Sequence, residues 1–312
     1  MKAVILDAET LGNGVDFSAI EKLVEDLVLY DSTTPDQVDE RIKDAEIIIT
    51  NKVVINKPAL ENATQLKLIC VLATGMNNID LATAEKLNIP VKNVEAYGTP
   101  SVAQHTLMMM LALATKLPVM QKRVAAGDWQ NSSMFCLLDP STIQLAGKKL
   151  VIVGSGELGQ AVKTLAEAFG MTVKFSARPG KTDDPRPSLN ELLPDADVLS
   201  FHCPLTDDTK NLLNADNLKR CKQEVLVVNN ARGGVINEKD VADALLAGKI
   251  GGVAADVLPQ EPPKNGNPLL DAMNEGLNLI VTPHNAWTSP EARQRIIELT
   301  ADNIKGSNPD DN

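Results

Sequence analysis

The chain has 312 residues, of which 44% are hydrophobic, so it is long enough to build two domains with sizeable cores. A formal net charge of -11 argues against nucleic acid and anionic membranes as partners, because both would repel the chain at long range. A small anionic substrate would have to be held by a few placed cations rather than by the overall field.

The start of the chain and its cysteines favour a cytoplasmic protein. MKAVILDAET places Asp7 directly after a short apolar run, which is typical of a strand and not of a signal peptide. The longest apolar run, TLMMMLALAT, is too short to span a bilayer. The four cysteines form no CxxC pair and no cluster with histidine, so we expect free thiols, a reducing compartment and no metal site.

Strand-like and helix-like segments alternate along the chain in two series. The first series contains the strand candidates AVILDA, LVLYD, EIIIT, LKLICVLA and PVKNV, with helical patterns such as AIEKLVEDL and PDQVDERIKDA between them. The second series contains KKLVIVGSG, TVKFSA, DVLSFHCP, EVLVVNNA, GGVAADV and NLIVTPH. We expect a long helix near residues 101–126 between the two series. This alternation predicts two α/β domains, each a parallel sheet with helices on both faces.

The second series opens with a glycine motif that suits a dinucleotide. Gly154, Gly156 and Gly159 form GxGxxG between the apolar run LVIV and the helical pattern ELGQAVKTLAEAFG. The first glycine permits a tight turn, the second lets the backbone approach a pyrophosphate, and the third allows close packing of helix and strand. The N–H groups that begin the helix, including those of Glu157 and Leu158, would face the anion. The alternative is a glycine turn without a ligand.

The next strand ends without the acidic residue that usually holds the ribose hydroxyls of NAD. Ala177 stands at the expected position of this acid, and Arg178 follows it. Without the acid, nothing there repels a 2′-phosphate, and the guanidinium could bond one. We therefore expect NADP as the cofactor. The alternative is that Arg178 is a solvated loop cation and NAD is used.

The chain has three histidines, and two of them close apolar strands. His202 ends DVLSFHCP and His284 ends NLIVTPH, at the carboxyl edge of a parallel sheet, where ligands bind. His105 lies inside the helical pattern SVAQHTLMMM, which favours a packed or hydrogen-bonded core residue. An imidazole that acts as acid or base near neutral pH must be one of these three. A structural role is the alternative at each position.

Two further residues favour His284 as the acid–base group. Arg232 follows the strand EVLVVNNA and precedes two glycines, which predicts a guanidinium at the sheet edge with space around it. Its planar fork suits a carboxylate or a keto acid. Glu261 lies between prolines in PQEPP, after the strand GGVAADVL. A carboxylate beside an imidazole fixes its tautomer and raises the imidazole pKa, which improves a proton donor near neutrality.

Five motifs together resemble a known enzyme family over essentially the whole chain. GSGELG, HCPLTDDTKNLLN, VVNNARGGVIN, AADVLPQEPP and VTPHNAW are similar, in order and spacing, to the signatures of the D-2-hydroxyacid dehydrogenases. MFCLLD and GELG are most similar to the glycerate dehydrogenase, or hydroxypyruvate reductase, branch.

The resemblance implies a fold and an assembly. It implies two doubly wound parallel-sheet domains: a discontinuous flavodoxin-like substrate domain of residues 1–98 and 288–312, and a Rossmann cofactor domain of residues 99–287. The active site would lie in the cleft between them, and a homodimer would form through the cofactor domains.

The resemblance also implies roles for individual residues. Arg232 would hold the substrate carboxylate and carbonyl, His284 would be the acid–base group, and Glu261 would pair with it. LATGMNN is similar to the family's substrate loop, so the amides of Gly75 and Met76 would bind the carboxylate. Further contacts to the cofactor would come from residues that follow the strands, namely His202, Cys203, Pro204, Thr209, Asn230, Ala231, Asp256 and Ala286. Among these, the aspartate would bond the nicotinamide amide.

These assignments predict an NAD(P)-dependent reductase of small 2-keto acids, with hydroxypyruvate or glyoxylate giving D-glycerate or glycolate. Hydride would pass from the nicotinamide to the keto carbon while His284 protonates the oxygen and Arg232 stabilises the developing charge. One alternative is a catalytically silent dinucleotide-sensing protein on the same fold, although the three candidate catalytic residues argue against it. The other is a formate- or phosphonate-type dehydrogenase of the same architecture.

Overall fold

The structure is a computed structural model that describes residues 1–307, and the chain folds into two compact units. The first unit comprises Met1–Gly98 and the chain from Trp287 onward, and the second unit is Thr99–Ala286. The second boundary lies one residue before the predicted one. Among the described residues, no helix is long and apolar enough to cross a membrane.

The first unit contains a parallel five-stranded sheet with the order β2-β1-β3-β4-β5. The strands are β1 Lys2–Ile5, β2 Asp26–Leu29, β3 Ile47–Thr50, β4 Leu68–Val71 and β5 Val91–Asn93. The helices between them are α1 Ser18–Glu21, α2 Val38–Ile42, α3 Lys57–Asn62 and α4 Leu81–Lys86, with 3₁₀ turns at Ala8–Leu11 and Pro35–Gln37. This strand order is that of flavodoxin-like folds.

The second unit contains a parallel six-stranded sheet with the order β11-β10-β9-β8-β6-β7. The strands are β6 Lys149–Val153, β7 Thr172–Phe175, β8 Val198–Phe201, β9 Leu226–Asn229, β10 Gly252–Ala255 and β11 Leu279–Val281. The helices are α5 Thr99–Ala114, α6 Leu117–Ala125, α7 Glu157–Ala168, α8 Leu189–Leu192, α9 Ala215–Leu218, α10 Glu238–Leu246 and α11 Pro268–Ala272, with 3₁₀ turns at Leu193–Asp195 and Met273–Glu275. The chain then returns to the first unit in α12 Pro290–Lys305.

The central strands of both sheets are buried on both faces, which explains why these strands read as continuous apolar runs. In β1, Val4 packs in one apolar cluster with α2 and α3, whereas Ile5 packs in another with α12. In β6, Val153 belongs to the cluster under α10, whereas Ile152 packs in the cluster of α5 and α7. The predicted fold class of two doubly wound parallel-sheet domains is confirmed.

Two predicted helices differ from the observed ones. The helix expected over residues 101–126 is broken into α5 and α6 at Lys116, whose φ is +55°. Pro118 has no N–H to donate, and its ring would clash with the carbonyl of Ala114 in a continuous helix. That carbonyl accepts the N–H of Ile143 instead, at 2.9 Å. The helical pattern AIEKLVEDL is also shortened to α1, because its last two residues pair with β1 as the start of β2.

Candidate active site

The glycine motif forms a tight turn between β6 and α7. Gly154 has a φ of +107°, and a Cβ atom there would lie 2.3 Å from the carbonyl oxygen of His202. A Cβ on Gly159 would lie 2.0 Å from the carbonyl oxygen of Gly154. At Gly156, by contrast, a Cβ would meet no atom within 4 Å. Two of the glycines are therefore required by packing, and the third leaves open space at the first turn of α7.

The loop after β7 is held by an acidic residue that the sequence motifs did not single out. Asp184, whose side chain is 4% exposed, accepts two hydrogen bonds from the Arg186 guanidinium, at 2.5 and 2.8 Å. It also accepts the backbone N–H of Arg178 at 2.9 Å. The Arg186 hydrogen bonds lower the Asp184 pKa, so this carboxylate is charged at neutral pH. The loop therefore has a fixed anchor.

Arg178 itself lies on the outside of this loop. Its side chain is 63% exposed, and its Nε lies 3.6 Å from Asp184 Oδ2. It lines a cavity of about 410 Å³ together with Ala177, Lys181, Asp208 and Lys210. Three cations therefore border this cavity, and one carboxylate accompanies them.

The residues after β8 place a buried imidazole at the sheet edge. His202 Nε2 lies 2.8 Å from the hydroxyl of buried Ser200, and its Nδ1 has no hydrogen-bond partner within residues 1–307. Burial lowers the His202 pKa to about 3 and raises the Cys203 pKa to about 11. Both side chains are therefore neutral at physiological pH.

Thr209 stabilises the turn that follows these residues, because its hydroxyl donates to the Pro204 carbonyl at 2.7 Å.

Asparagines at the end of β9 shape the segment that carries Arg232. Asn229 accepts the N–H of Ala231 at 3.1 Å and donates to the Arg232 carbonyl at 3.0 Å. Asn230 donates to Thr106 Oγ1 at 2.8 Å, and its buried Oδ1 has no partner within the described chain. Sequence reasoning selected Asn230 but missed Asn229, whose strand position gave no sign of this turn-forming role.

Arg232 leads into a turn that packs against the loop of Glu261. The Arg232 side chain is exposed, and its guanidinium donates to the Ala231 carbonyl at 2.7 Å. A Cβ atom on Gly233 would lie 1.9 Å from the backbone carbon of Leu258. Only a glycine allows this approach, which explains the glycine directly after the arginine.

Glu261 and His284 form a hydrogen-bonded pair. Glu261 Oε2 lies 2.6 Å from His284 Nδ1, and Glu261 Oε1 accepts the N–H of Leu258 at 2.8 Å. The two side chains are 35% and 37% exposed. Burial alone would raise the Glu261 pKa, but hydrogen bonds from His284 and Leu258, with the charge of Arg232, outweigh it and lower that pKa. The glutamate is therefore ionised beside the imidazole.

Asp256, after β10, holds the turn that carries His284. His284 has a φ of +53° and donates its backbone N–H to the Asp256 carbonyl at 2.8 Å. The Asp256 carboxylate, 2% exposed, accepts the backbone N–H groups of Asn285 and Ala286, both at 3.0 Å. It also accepts the Thr282 hydroxyl at 2.5 Å. Asp256 and Ala286, both assigned to the cofactor by sequence, thus bind each other.

Gly75 and Met76 belong to the first unit, in the loop after β4. The loop is tied to β5 because the Asn93 side chain donates to the Thr74 carbonyl at 2.8 Å. Within residues 1–307, the amide N–H groups of Gly75 and Met76 have no backbone acceptor.

No cluster of three or more His, Cys, Asp or Glu side chains suited to a metal ion occurs in the same described part of the chain.

Comparison with known proteins places these motifs in a family. Residues 107–286 match a family model described as "D-isomer specific 2-hydroxyacid dehydrogenase, NAD binding domain". The chain is 40% identical to glycerate dehydrogenase of Methylorubrum extorquens over 307 residues, which cover 97% of this chain and 95% of that protein. It is 36% identical to hydroxypyruvate reductase of Blautia hydrogenotrophica, over 98% of this chain and 96% of that protein.

The fold is also found in a solved structure. The D-lactate dehydrogenase of Aquifex aeolicus, solved with NAD and lactic acid, matches with a TM-score of 0.79 at 27% identity. The match covers 100% of this chain and 96% of that one. Similarity in sequence and in fold therefore extends over both units.

Proposed function

Since the chain belongs to the D-isomer-specific 2-hydroxyacid dehydrogenase family, we propose that it reduces hydroxypyruvate or glyoxylate, giving D-glycerate or glycolate. Family membership makes it a nicotinamide-dependent oxidoreductase of 2-hydroxy acids, as predicted, and favours this function over a silent dinucleotide sensor and over a formate- or phosphonate-type dehydrogenase. The choice of substrate is supported by relatives named glycerate dehydrogenase, hydroxypyruvate reductase and glyoxylate reductase.

The observation that carries the proposal is the 2.6 Å contact between His284 Nδ1 and Glu261 Oε2. A carboxylate bonded to Nδ1 fixes the imidazole tautomer and leaves Nε2 as the nitrogen that exchanges a proton with the substrate. His284 then donates a proton from Nε2 to the keto oxygen of the substrate. In the oxidative direction the same nitrogen accepts that proton.

Two groups bind the substrate carboxylate in this proposal. The Arg232 guanidinium offers paired N–H donors that match a carboxylate and an adjacent keto oxygen. The loop of Gly75 and Met76 is similar to the family's substrate loop, which supports a carboxylate-binding role for its amides. Arg232 also stabilises the negative charge that develops on the keto oxygen during reduction.

The second unit provides a fitting site for a dinucleotide. The open space at Gly156 and the start of α7 would accept the pyrophosphate, since a helix N-terminus binds anions. Two buried polar atoms have no hydrogen-bond partner within residues 1–307 and would be satisfied by a bound cofactor: His202 Nδ1 and Asn230 Oδ1. When bound, the nicotinamide supplies the hydride. Asp256 has one lone-pair position left after its three hydrogen bonds, which suits the carboxamide group.

NADP is the proposed form of the nicotinamide cofactor. Arg178 is exposed beside a cavity that Lys181 and Lys210 also line, and no acid follows β7 directly. Three cations favour a 2′-phosphate, whereas Asp208 in the same cavity opposes it. The related D-lactate dehydrogenase, by contrast, was solved with NAD.

A homodimer and a cytoplasmic location are proposed with this function. The homodimer rests on the family resemblance of the second unit. The location is supported by the four cysteines, all of which are free thiols. Such thiols are typical of a reducing compartment.

A panel of 2-keto acids tests the proposal. The purified protein is mixed with hydroxypyruvate, glyoxylate, pyruvate or a branched 2-keto acid, each with NADH and with NADPH. We expect the highest kcat/KM with hydroxypyruvate or glyoxylate. Chiral analysis of the product formed from hydroxypyruvate should show the D-isomer of glycerate. A preference for a bulky keto acid would contradict the proposed substrate and leave the family assignment unchanged.

A further inference from the structure

A chain of hydrogen bonds runs from α5 to the turn that carries His284. His105 Nε2 lies 3.1 Å from Thr282 Oγ1, and Thr282 Oγ1 lies 2.5 Å from Asp256 Oδ1. Asp256 in turn accepts the backbone N–H groups of Asn285 and Ala286. We call His105, Thr282 and Asp256 the relay. All three side chains belong to the second unit.

The direction of the hydrogen bonds in the relay follows from the number of protons available. Asp256 is a carboxylate that already accepts two backbone N–H groups, so it also accepts from Thr282. The Thr282 hydroxyl has one hydrogen, and that hydrogen is used on Asp256. It therefore accepts from His105, whose Nε2 must carry the proton.

The relay is partly buried, with Asp256 inaccessible to water and His105 and Thr282 half-buried. The His105 side chain is 16% exposed and that of Asp256 is 2% exposed. Burial lowers the His105 pKa, although the charge of Asp256 acts in the opposite direction. His105 is thus a neutral imidazole at physiological pH, with its one N–H directed at Thr282. Hydrogen bonds in such an environment are stronger than exposed ones and costly to leave unpaired.

The turn that the relay holds has an unfavourable backbone conformation. His284 has a φ of +53°, in the left-handed region that residues other than glycine seldom adopt. Such a conformation persists only where its surroundings hold it. The residues on both sides of His284 are bonded to Asp256: Thr282 through its hydroxyl, and Asn285 through its N–H.

We propose that His105 is a positioning residue, which through Thr282 and Asp256 fixes the turn that sets the direction of the His284 imidazole. The inference rests on the proposed function, because the imidazole must meet the keto oxygen. A second contact from α5 supports it: Ser101 Oγ donates to the Ala286 carbonyl at 2.7 Å. Helix α5 therefore contacts the turn on either side of His284.

Paired substitutions at His105 test this role. His105→Gln keeps an N–H donor at a similar reach, whereas His105→Leu keeps much of the volume and has no donor. We expect kcat to fall about tenfold to a hundredfold in His105→Leu, as for a small misplacement of a catalytic group. His105→Gln should recover most of the lost kcat, and the KM for the keto acid should change less than kcat in both. Gln104→Leu, an exposed position on the same helix, is the control and should behave like wild type.

A packing role for His105 predicts the opposite order of the two variants. If the residue only fills space, the apolar leucine would retain more activity than the polar glutamine, and that result would overturn the inference. Thr282→Val and Thr282→Ser provide the second comparison if His105→Leu does not fold, as judged by near-UV circular dichroism. We expect loss of kcat in Thr282→Val and retention in Thr282→Ser; wild-type kcat in Thr282→Val would contradict the relay. A wild-type protein without turnover on any 2-keto acid would overturn the proposed function as well.

Discussion

At the scale of single residues, the charge of Glu261 is decided by competition between burial and hydrogen bonding. Partial burial favours the neutral acid, but two hydrogen bonds and the nearby Arg232 favour the carboxylate, and these lower the Glu261 pKa below its ordinary value of 4.5. A carboxylate with a lowered pKa stabilises the folded state most fully above its unfolded pKa, and this contribution declines as the pH falls through the folded pKa. The pair with His284 is therefore intact across neutral pH.

Replacing Glu261 by glutamine tests the charge at nearly constant volume. Glutamine removes the charge that Glu261 holds beside His284 Nδ1, so we expect kcat/KM for keto-acid reduction to fall at neutral pH. The difference from wild type should shrink only at acid pH, where Glu261 itself becomes protonated. The measurement is kcat/KM against pH for wild type and Glu261→Gln, with Glu275→Gln, an exposed carboxylate in the same unit, as the control. An unchanged pH profile, with the chemical step shown to limit the rate, would count against the pairing.

Arg232→Lys tests whether the planar fork is needed. A lysine keeps the charge but binds as a single point, so we expect a large rise in the KM for keto acids together with a lower kcat. Steady-state kinetics with hydroxypyruvate and glyoxylate provide the measurement. If both parameters stay close to wild type, Arg232 has a structural role in the turn at Gly233.

Sequence reasoning could select Arg232, Glu261 and His284, because each follows a buried strand at the edge where parallel sheets bind ligands. It could not identify Thr282, whose role depends on a hydrogen bond to Asp256 in the segment after the neighbouring strand. It also missed Asn229, because the strand pattern gave no sign that this side chain bonds the backbone of its own turn. His105 was expected to be packed or hydrogen-bonded, but its partner lies 177 residues away along the chain. Such a contact follows only from the folded arrangement of α5 and β11.

At the scale of elements, the loop after β7 combines a fixed anchor with an exposed cation. Asp184 accepts hydrogen bonds from the Arg178 backbone N–H and from the Arg186 guanidinium, so the backbone at Arg178 is fixed. Most of the Arg178 side chain is exposed to solvent. The end of β7 lacks the acid that usually holds the ribose hydroxyls. Asp184 lies seven residues after Ala177, but its carboxylate is already bound to the Arg186 guanidinium.

This arrangement predicts an effect of Arg178 on the choice of cofactor. A hydrogen bond to a charged group contributes roughly 1.5–3 kcal/mol, so Arg178→Ala should weaken NADPH by about tenfold to a hundredfold and leave NADH almost unchanged. Ala177→Asp should do the reverse. Solvent screening at this exposed site would reduce both effects. The measurement is the ratio of kcat/KM for NADPH and NADH, and a wild type that prefers NADH would contradict the assignment of NADP.

Strands were predicted more reliably than helices because their apolar runs reflect burial on both faces of the sheets. The helix predicted over residues 101–126 was wrong at its middle, where Pro118 forces the break between α5 and α6. Pro118 is present in the sequence, but the apolar pattern on both sides of it favoured the prediction of one continuous helix.

At the scale of the whole molecule, the residues with proposed roles are distributed over two doubly wound units. The second unit contains the glycine turn, the His284 pair and the relay, and the first contains the loop of Gly75 and Met76. The alternation of strands and helices predicted both parallel sheets, and the family resemblance predicted their doubly wound form. The strand orders did not follow from the alternation itself, because crossover connections allow several orders with the same pattern.

The most direct test of the central claim is the turnover of hydroxypyruvate and glyoxylate by wild type and by His284→Ala. General acid–base groups contribute on the order of 10²–10⁴-fold, so kcat should fall by that factor in the variant. Binding of the nicotinamide cofactor, followed by fluorescence titration, should remain close to that of wild type because the glycine turn is unchanged. Near-normal turnover of His284→Ala at neutral pH would contradict the account.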